Sequence, residues 1–323
     1  MEIAGKSVLV TGGAGFIGSH LVDRLIAERP SRLVVVDNLF LGKRENLEEA
    51  RRAYPDLRFY QEDVSRPQAM RRILEQEEIE IVFDLATVPL PASLRRPKWT
   101  SRSILEMALN LCELGRLGLY RTLIHCSSSE AYGSAQYVPM DEAHPLAVET
   151  PYAAAKAAAD LIVRSYARTF GLDTVIVRPF NTYGPRQNER QYAGVIPIVI
   201  RRILSGLPPI IFGDGEQTRD YTFVTDIVAG IVAAARHEGA RGRVINLATG
   251  EEVTINRLVQ LICQAMGYEG RILHGPPRAA DVRRHRADVT LARSLLGWVP
   301  AVSLEEGIAR TVAWYRERMG ART

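Results

Sequence analysis

Val8-Leu9-Val10-Thr11-Gly12-Gly13-Ala14-Gly15-Phe16-Ile17-Gly18 joins a short apolar run to a glycine turn and the first residues of a helix. Gly12 lets the chain turn sharply, Gly15 lets backbone approach a pyrophosphate, and Gly18 lets the helix pack closely. The helix start supplies oriented N–H donors for an anion. The next apolar run, Leu33–Asp37, ends on a carboxylate about twenty residues past the loop, where it accepts hydrogen bonds from a ribose diol and repels a 2′-phosphate. Together these features predict a dinucleotide site, with NAD favoured over NADP.

Outward from this unit, Ser7–Val10, Leu33–Asp37, Leu57–Tyr60, Ile79–Leu85, Thr122–Cys126 and Thr174–Arg178 read as buried parallel strands. Helical spacing separates them at Ile17–Glu28, Pro67–Gln76, Thr100–Leu114 and Tyr152–Phe170. The last of these is alanine-rich, follows Pro151 and stops at Gly171. The alternation predicts an α/β, Rossmann-like doubly wound parallel sheet over residues 1–180. Past Asn181 the chain breaks into Gly/Pro-punctuated pieces, with helices expected near Gly194–Leu204, Thr225–Arg236, Thr254–Met266 and Ser303–Arg318. A smaller mixed α/β substrate domain is therefore expected over 181–323, with some chain crossing back between the two.

A length of 323 residues with 46% apolar and 24% charged residues excludes disorder, collagen-like repeats and a disulfide mini-scaffold. Cys112, Cys126 and Cys263 are an odd number, far apart, with no CxxC spacing, so neither a disulfide framework nor a metal site is expected. A reducing cytoplasm fits best. No secretory leader opens the sequence, and no apolar run approaches the roughly 18–20 residues of a membrane span. The net charge of +4 is built from 37 arginines and 4 lysines, and guanidinium matches phosphate oxygens. A phosphorylated ligand fits that balance, as does a GC-rich genome.

Tyr152-Ala-Ala-Ala-Lys156 sets a phenol and an ammonium four residues apart on one helix face. A phenol is a poor base at neutral pH, but Lys⁺ and the positive charge of a nicotinamide favour phenolate. Cys126-Ser127-Ser128-Ser129-Glu130-Ala131-Tyr132-Gly133 lies at the end of the preceding strand, on the side where open α/β sheets bind ligands. In Glu62-Asp63-Val64, Asp63 suits an adenine amino group, with Val64 packing nearby, or the capping of the next helix equally well.

With these pieces in place, the sequence resembles an extended short-chain dehydrogenase/reductase of the NAD-dependent nucleotide-sugar epimerase/dehydratase family. The matching pieces are Thr11–Gly18, Asp37-Asn38, Asp63-Val64, the serine strand with Tyr132-Gly133, Tyr152-x-x-x-Lys156 and Arg178-Pro-Phe-Asn-Thr-Tyr-Gly-Pro185. Gly213–Tyr221, Asp281-Val-Arg-Arg284 and Leu296-Gly-Trp298 continue the match downstream. The resemblance implies a tightly bound, recycled NAD and a nucleotide-diphosphate-sugar substrate oxidised at C4. In that chemistry Tyr152 takes the O4 proton, Ser128 aligns O4, and Lys156 holds the nicotinamide ribose and biases Tyr152. Phe16, Ile17, Asn38, Leu85, Ala86, Ser127 and Pro179 complete the cofactor site, while Ser129, Asn181, Arg219, Arg283 and Arg284 reach the substrate. The resemblance also implies a homodimer formed through the helix after Pro97 and the Tyr152 helix.

Glu130 decides the expected outcome. A 4-epimerase only turns the keto sugar over, whereas a 4,6-dehydratase needs a base at C5, and Ser128-Ser129-Glu130 is similar to the run in several dehydratases and decarboxylases. Dehydration is therefore expected, with UDP-sugar 4-epimerisation or UDP-glucuronate decarboxylation as alternatives. The sequence departs from the family pattern at Asp84-Leu85-Ala86-Thr87, where His-Leu-Ala-Ala is usual, and in the Pro89-Leu90-Pro91 stretch that follows. It also has Ser129 where dTDP-glucose dehydratases carry an acid, and Ser103-Ile104 near the usual asparagine. A different class, a non-catalytic NAD sensor or RNA-binding protein on the same fold, is disfavoured by the intact Ser128, Tyr152 and Lys156. The Arg283-Arg284-His285-Arg286 run also lacks the aromatic residues that stack RNA bases. No nucleic-acid or membrane partner is expected.

Overall fold

The computed structural model describes residues 1–189, 191–277 and 282–320; Asp281, quoted above, lies outside them. Each apolar run expected to be a strand forms one: β1 (Ser7–Thr11), β2 (Arg32–Val36), β3 (Arg58–Tyr60), β4 (Ile81–Asp84), β5 (Thr122–Cys126) and β6 (Asp173–Pro179). A further strand, β7 (Val244–Leu247), returns from the second half and pairs with β6 through Val244 and Ile176. All pairings are parallel, in the order β3-β2-β1-β4-β5-β6-β7. The order reverses between β2-β1 and β4, which opens a crevice at the carboxyl ends of β1 and β4.

Helices cover both faces of the sheet. Alternate residues of each strand serve opposite faces, as the pleat requires. Val8, Val10, Leu33, Val35 and Phe83 pack beneath α1 (Phe16–Ile26). Leu9, Val34, Val36, Leu123 and Ile176 pack beneath α2 (Pro67–Gln76), α3 (Pro97–Arg116) and α4 (Pro151–Phe170). A fifth helix, α5 (Val224–Arg236), joins the α1 face through Ile227, Val228 and Ile231, so the core crosses the expected boundary at residue 180. In α3, Ile104, Ala108 and Leu111 pack into the core beside the sheet, so these apolar residues of the helix serve intrachain packing. A separate core, including Ile196, Ile200, Phe223, Leu258, Ile262, Ile308 and Tyr315, holds the second lobe together.

The ends of α4 are chemically fixed. Thr150 Oγ1 accepts from Ala153 N at 3.1 Å, Pro151 occupies the first turn without losing a needed donor, and Gly171 closes the helix at φ 69° with its N–H on Ala167 O. Among the described residues no helix is long and apolar enough to cross a membrane.

The β1–α1 turn is closely packed. A Cβ on Gly18 would stand 2.2 Å from Gly12 O and 2.9 Å from the Gly13 Cα. Gly18→Ala is therefore expected to cost about 1–3 kcal/mol of stability through overpacking. Urea unfolding checks this as a lowered midpoint at unchanged slope.

Candidate active site

A cavity of about 650 Å³ runs along the carboxyl ends of β1, β2, β4 and β5 and is closed from above by residues of the second lobe. Its size lies in the usual range for small-molecule and cofactor sites.

One end of the cavity is built by the glycine loop. Gly12 sits at φ 65°, and a Cβ there would lie 2.9 Å from Leu85 O and Ala86 N, so only glycine lets the ends of β1 and β4 approach. Gly15 precedes α1 without a side-chain cap, which leaves the first N–H groups of α1 for an anion. Gly12, Gly15, Phe16, Ile17 and Gly18 all line the cavity. Asp37 follows β2, where Oδ2 accepts from Ala14 N at 3.0 Å and Oδ1 from Leu39 N at 2.8 Å. Burial pushes its carboxyl above the ordinary carboxylate range, partly offset by those backbone donors. Asn38 Nδ2 donates to Asp63 Oδ2 at 3.0 Å, and Asp63 Oδ1 accepts from Ser65 N at 2.9 Å. Asp63 thus shapes its own turn rather than capping α2, whose N-cap is Arg66, while still lining the cavity with Val64. Leu85, Ala86 and Pro179 complete this wall. A glycine cradle, uncapped helix donors and a carboxylate after β2 fit a dinucleotide.

At the other end, β5 runs into a single helical turn, Ser129–Tyr132. Ser128 caps it, its Oγ accepting from Glu130 N at 3.2 Å, and its hydroxyl also hydrogen-bonds the Tyr152 phenol. Tyr152 and Lys156 project from one face of α4, and Lys156 Nζ donates to Cys126 O at 2.8 Å. Burial raises the Tyr152 phenol above its ordinary value; the Lys156 charge and the Ser128 hydrogen bond pull it down, while Glu130 pushes it up. Burial wins, so Lys156 alone does not turn the phenol into a base. Ser127, Ser128, Ser129, Glu130, Tyr152, Lys156 and Asn181 line the same cavity, and Asn181 Oδ1 is buried with no partner in the protein.

The arginines expected at the substrate lie elsewhere. Arg219 donates to Thr218 O and Val282 O at 2.8 and 2.6 Å. Arg283 pairs with Asp214 at 2.8 Å and Arg284 with Glu252 at 2.6 Å, both on exposed surface, and none of the three is among the cavity-lining residues. The departures from the family pattern also resolve. Asp84 lies beneath the cavity, its Oδ1 accepting from Thr11 Oγ1 at 2.7 Å. Pro89-Leu90-Pro91 starts a helical turn, Leu90–Ser93, against the cavity wall, and Ser103 lines the cavity while Ile104 is buried in the core.

Sequence reasoning missed Lys43, Trp99, Arg186 and Tyr192, which also line the cavity. Arg186 directly follows the Arg178–Pro185 piece and bonds Asp23 and Glu49 at 2.6 and 2.8 Å, a signal that adjacency alone offered. Trp99 and Tyr192 both approach the Phe40 ring, at 5.3 and 6.4 Å, from segments far apart in the chain, so no local pattern announces them.

Residues 8–248 match the model of the NAD dependent epimerase/dehydratase family. The chain is 38% identical over 312 residues to a UDP-glucose 4-epimerase of Mycolicibacterium smegmatis, covering 96% of this chain and 98% of that one. A crystal structure of the UDP-glucose 4-epimerase of Thermotoga maritima with UDP-glucose is 37% identical, with a TM-score of 0.91 over 97% of this chain and 99% of that one. A dTDP-glucose 4,6-dehydratase from Streptomyces venezuelae, with NAD bound, is 31% identical at a TM-score of 0.91, covering 98% of each chain. With its cavity carrying the glycine loop, Asp37, Ser128, Tyr152 and Lys156 together, this chain belongs to the NAD-dependent epimerase/dehydratase family of nucleotide-sugar enzymes.

Proposed function

We propose that this enzyme is a UDP-hexose 4-epimerase. The observation that carries the reading is its nearly full-length likeness to UDP-glucose 4-epimerases, 38% in one relative and 37% in a solved structure. It replaces the dehydration expected from Glu130. The residues give the choice a chemical reason. Elimination needs a base for the C5 proton and an acid for the hydroxyl leaving C6, and Ser129 stands where dTDP-glucose dehydratases carry that acid. Turning the sugar over needs neither.

In this reading Tyr152 takes the proton from the sugar O4, with Ser128 aligning that oxygen. Bound NAD⁺ supplies the hydride acceptor for C4 and a positive charge that adds to Lys156 beside the phenol. Epimerisation would require the 4-keto sugar to turn its other face over within the site, and Tyr152 would give its proton back to O4. Lys156, anchored on Cys126 O, would hold the nicotinamide ribose. Asn181, with its free buried oxygen, borders the substrate end, and Arg219, Arg283 and Arg284 would grip the diphosphate only by exchanging their present partners. A homodimer through α3 and α4 belongs to the same reading and is supported by the exposed Leu109 and Leu161 on those helices.

A second reading, 4,6-dehydration, is favoured by one observation: the Glu130 carboxylate lines the cavity close enough to Tyr152 to raise its pKa. Mass spectrometry after incubation in heavy water with UDP-glucose, UDP-galactose, UDP-N-acetylglucosamine and dTDP-glucose separates the two. The expected product is an isomer of unchanged mass and no solvent deuterium that separates from the substrate by liquid chromatography; loss of water with deuterium incorporated overturns the epimerase reading in favour of dehydration.

Tyr152→Phe is expected to lower turnover about 10²–10⁴-fold, the usual contribution of a positioned acid–base group, while NAD stays bound. In the parent enzyme turnover rises with pH as the Tyr152 phenol ionises, because the neutral phenol cannot accept the O4 proton; Tyr152→Phe loses that rising limb in a rate–pH profile.

A further inference from the structure

Tyr152 and Lys156 have a third residue on their helix face. Asp160 follows Lys156 by four positions, so Tyr152, Lys156 and Asp160 form one stripe along α4. Asp160 is fully buried. Its Oδ2 accepts from Ser127 Oγ at 2.8 Å and from Arg178 Nε and Nη2 at 2.8 and 2.7 Å. Its other oxygen, Oδ1, has no hydrogen-bond partner and faces His125 Nε2 at 3.6 Å, an atom that is also buried and unpartnered.

His125 lies on β5 directly across from Asp84 on β4. Its Nδ1 is 2.8 Å from Asp84 Oδ2, while Asp84 Oδ1 accepts from Thr11 Oγ1. Burial works against ionisation of Asp84, but the hydrogen bonds from His125 and Thr11 hold it below the ordinary carboxylate range, so it accepts and Nδ1 donates. The ring therefore stands between β4 and α4, with Nδ1 on Asp84 and Nε2 facing Asp160 Oδ1 at 3.6 Å. The charged and titratable groups around this ring are Asp84 of β4, Cys126 of β5, Asp160 and Lys156 of α4, and Arg178 of β6.

We propose that His125 is a positioning residue for Tyr152 and Lys156, holding the foot of their helix stripe against Asp84. The proposal rests on the assignment of Tyr152 and Lys156 to proton transfer. It explains why the sequence carries Asp84 in the Asp84-Leu85-Ala86-Thr87 run: the carboxylate is the far anchor of the ring. It also accounts for two unpartnered atoms facing each other in a sealed site, which packing alone would not favour. A displacement at Asp160 swings the phenol two turns along the same helix, and misplacement of a reacting group by an ångström costs about a hundredfold in rate.

The test compares His125→Phe, which keeps the ring volume without its nitrogens, with His125→Gln, which keeps a donor for Asp84. His125→Phe is expected to lower kcat about 10–100-fold, to leave KM for the UDP-sugar and NAD content unchanged, and to move the rising limb of the rate–pH profile to higher pH as Lys156 loses its register with Tyr152. His125→Gln recovers most of the rate and the parent pH profile. If His125→Phe does not fold, Asp84→Asn/His125→Phe, which removes the carboxylate charge left alone, is measured in its place with the same expectation. Unchanged kcat and pH profile in the folded variant overturn the proposal. So does an equal loss in the Phe and Gln variants accompanied only by a lower melting temperature. Tyr152→Phe separates the two levels: retained turnover there removes the base assignment on which the proposal stands, whereas an inactive Tyr152→Phe beside a fully active His125→Phe removes His125 alone.

Discussion

The buried ion pair between Asp160 and Arg178 sets the height of α4, the helix of Tyr152 and Lys156, above the sheet. Asp160 belongs to α4 and Arg178 to β6, and both are almost wholly shielded from water at a separation of 2.7 Å. In so dry a site each charge depends on the other; leaving one unpaired costs about 3–5 kcal/mol. Ser127, the residue after β5, adds a hydroxyl to the same carboxylate oxygen. Helix and two strands are thereby locked at the level from which Tyr152 and Lys156 reach the cavity. The alanines of α4 suit this constraint, since small side chains let the helix lie close enough for the pair to form.

The same guanidinium reaches the Ser129–Tyr132 turn at the end of β5. Arg178 lies 4.4 Å from the centre of the Tyr132 ring, the last residue of the Ser129–Tyr132 turn, and Tyr132 OH donates to Asn246 Oδ1 at 2.7 Å. Asn246 belongs to β7, and its Nδ2 returns to Met140 O at 3.0 Å. The seventh strand therefore does more than extend the sheet, because it buttresses the turn that carries Ser128 and Glu130. The second lobe is fastened with comparable economy by Asp220. This residue accepts from Thr249 N and Oγ1, Gly250 N and Ala287 N, and burial pushes its carboxyl up to about 6 despite those donors. In the Arg219-Asp220-Tyr221 run, the arginine drew attention as a ligand group, but the aspartate beside it organises the loops.

How far these features were legible in the sequence follows the range of the interactions. The β1–α1 turn, Asp37 and α4 depend on contacts within a few residues, and glycine spacing, a strand end and helix caps report such contacts directly. β7 is four residues long and is stabilised by pairing with β6, a partner distant in the chain, so no local pattern separated it from the surrounding loops. The family resemblance places Arg283 and Arg284 at the substrate, yet in the structure each guanidinium on its exposed loop pairs with the carboxylate that folds beside it, Asp214 and Glu252. Asp84 stood out as a departure without a meaning. Its partner His125 is one strand away in register, a relation that strand pairing creates and linear spacing conceals.

In the proposed reading epimerisation and dehydration share the oxidation at C4 and part afterwards, and the residues of one turn bear on the choice: Ser128 would serve the common step, Ser129 and Glu130 what the 4-keto sugar does next. Because Tyr132, Asn246 and Arg178 hold that turn from beneath, its upward residues can vary without loosening the base. Retaining a carboxylate at 130 while placing a hydroxyl at 129 gives a site equipped with one of the two proton-transfer groups that elimination requires. In a buried site a carboxylate without a matching acid acts mainly through its charge, and that charge opposes ionisation of Tyr152. On the proposed mechanism the phenolate would be drawn out by cations on the other side, Lys156 and the nicotinamide, which would place the weight of the first step on the packing of α4 against the sheet.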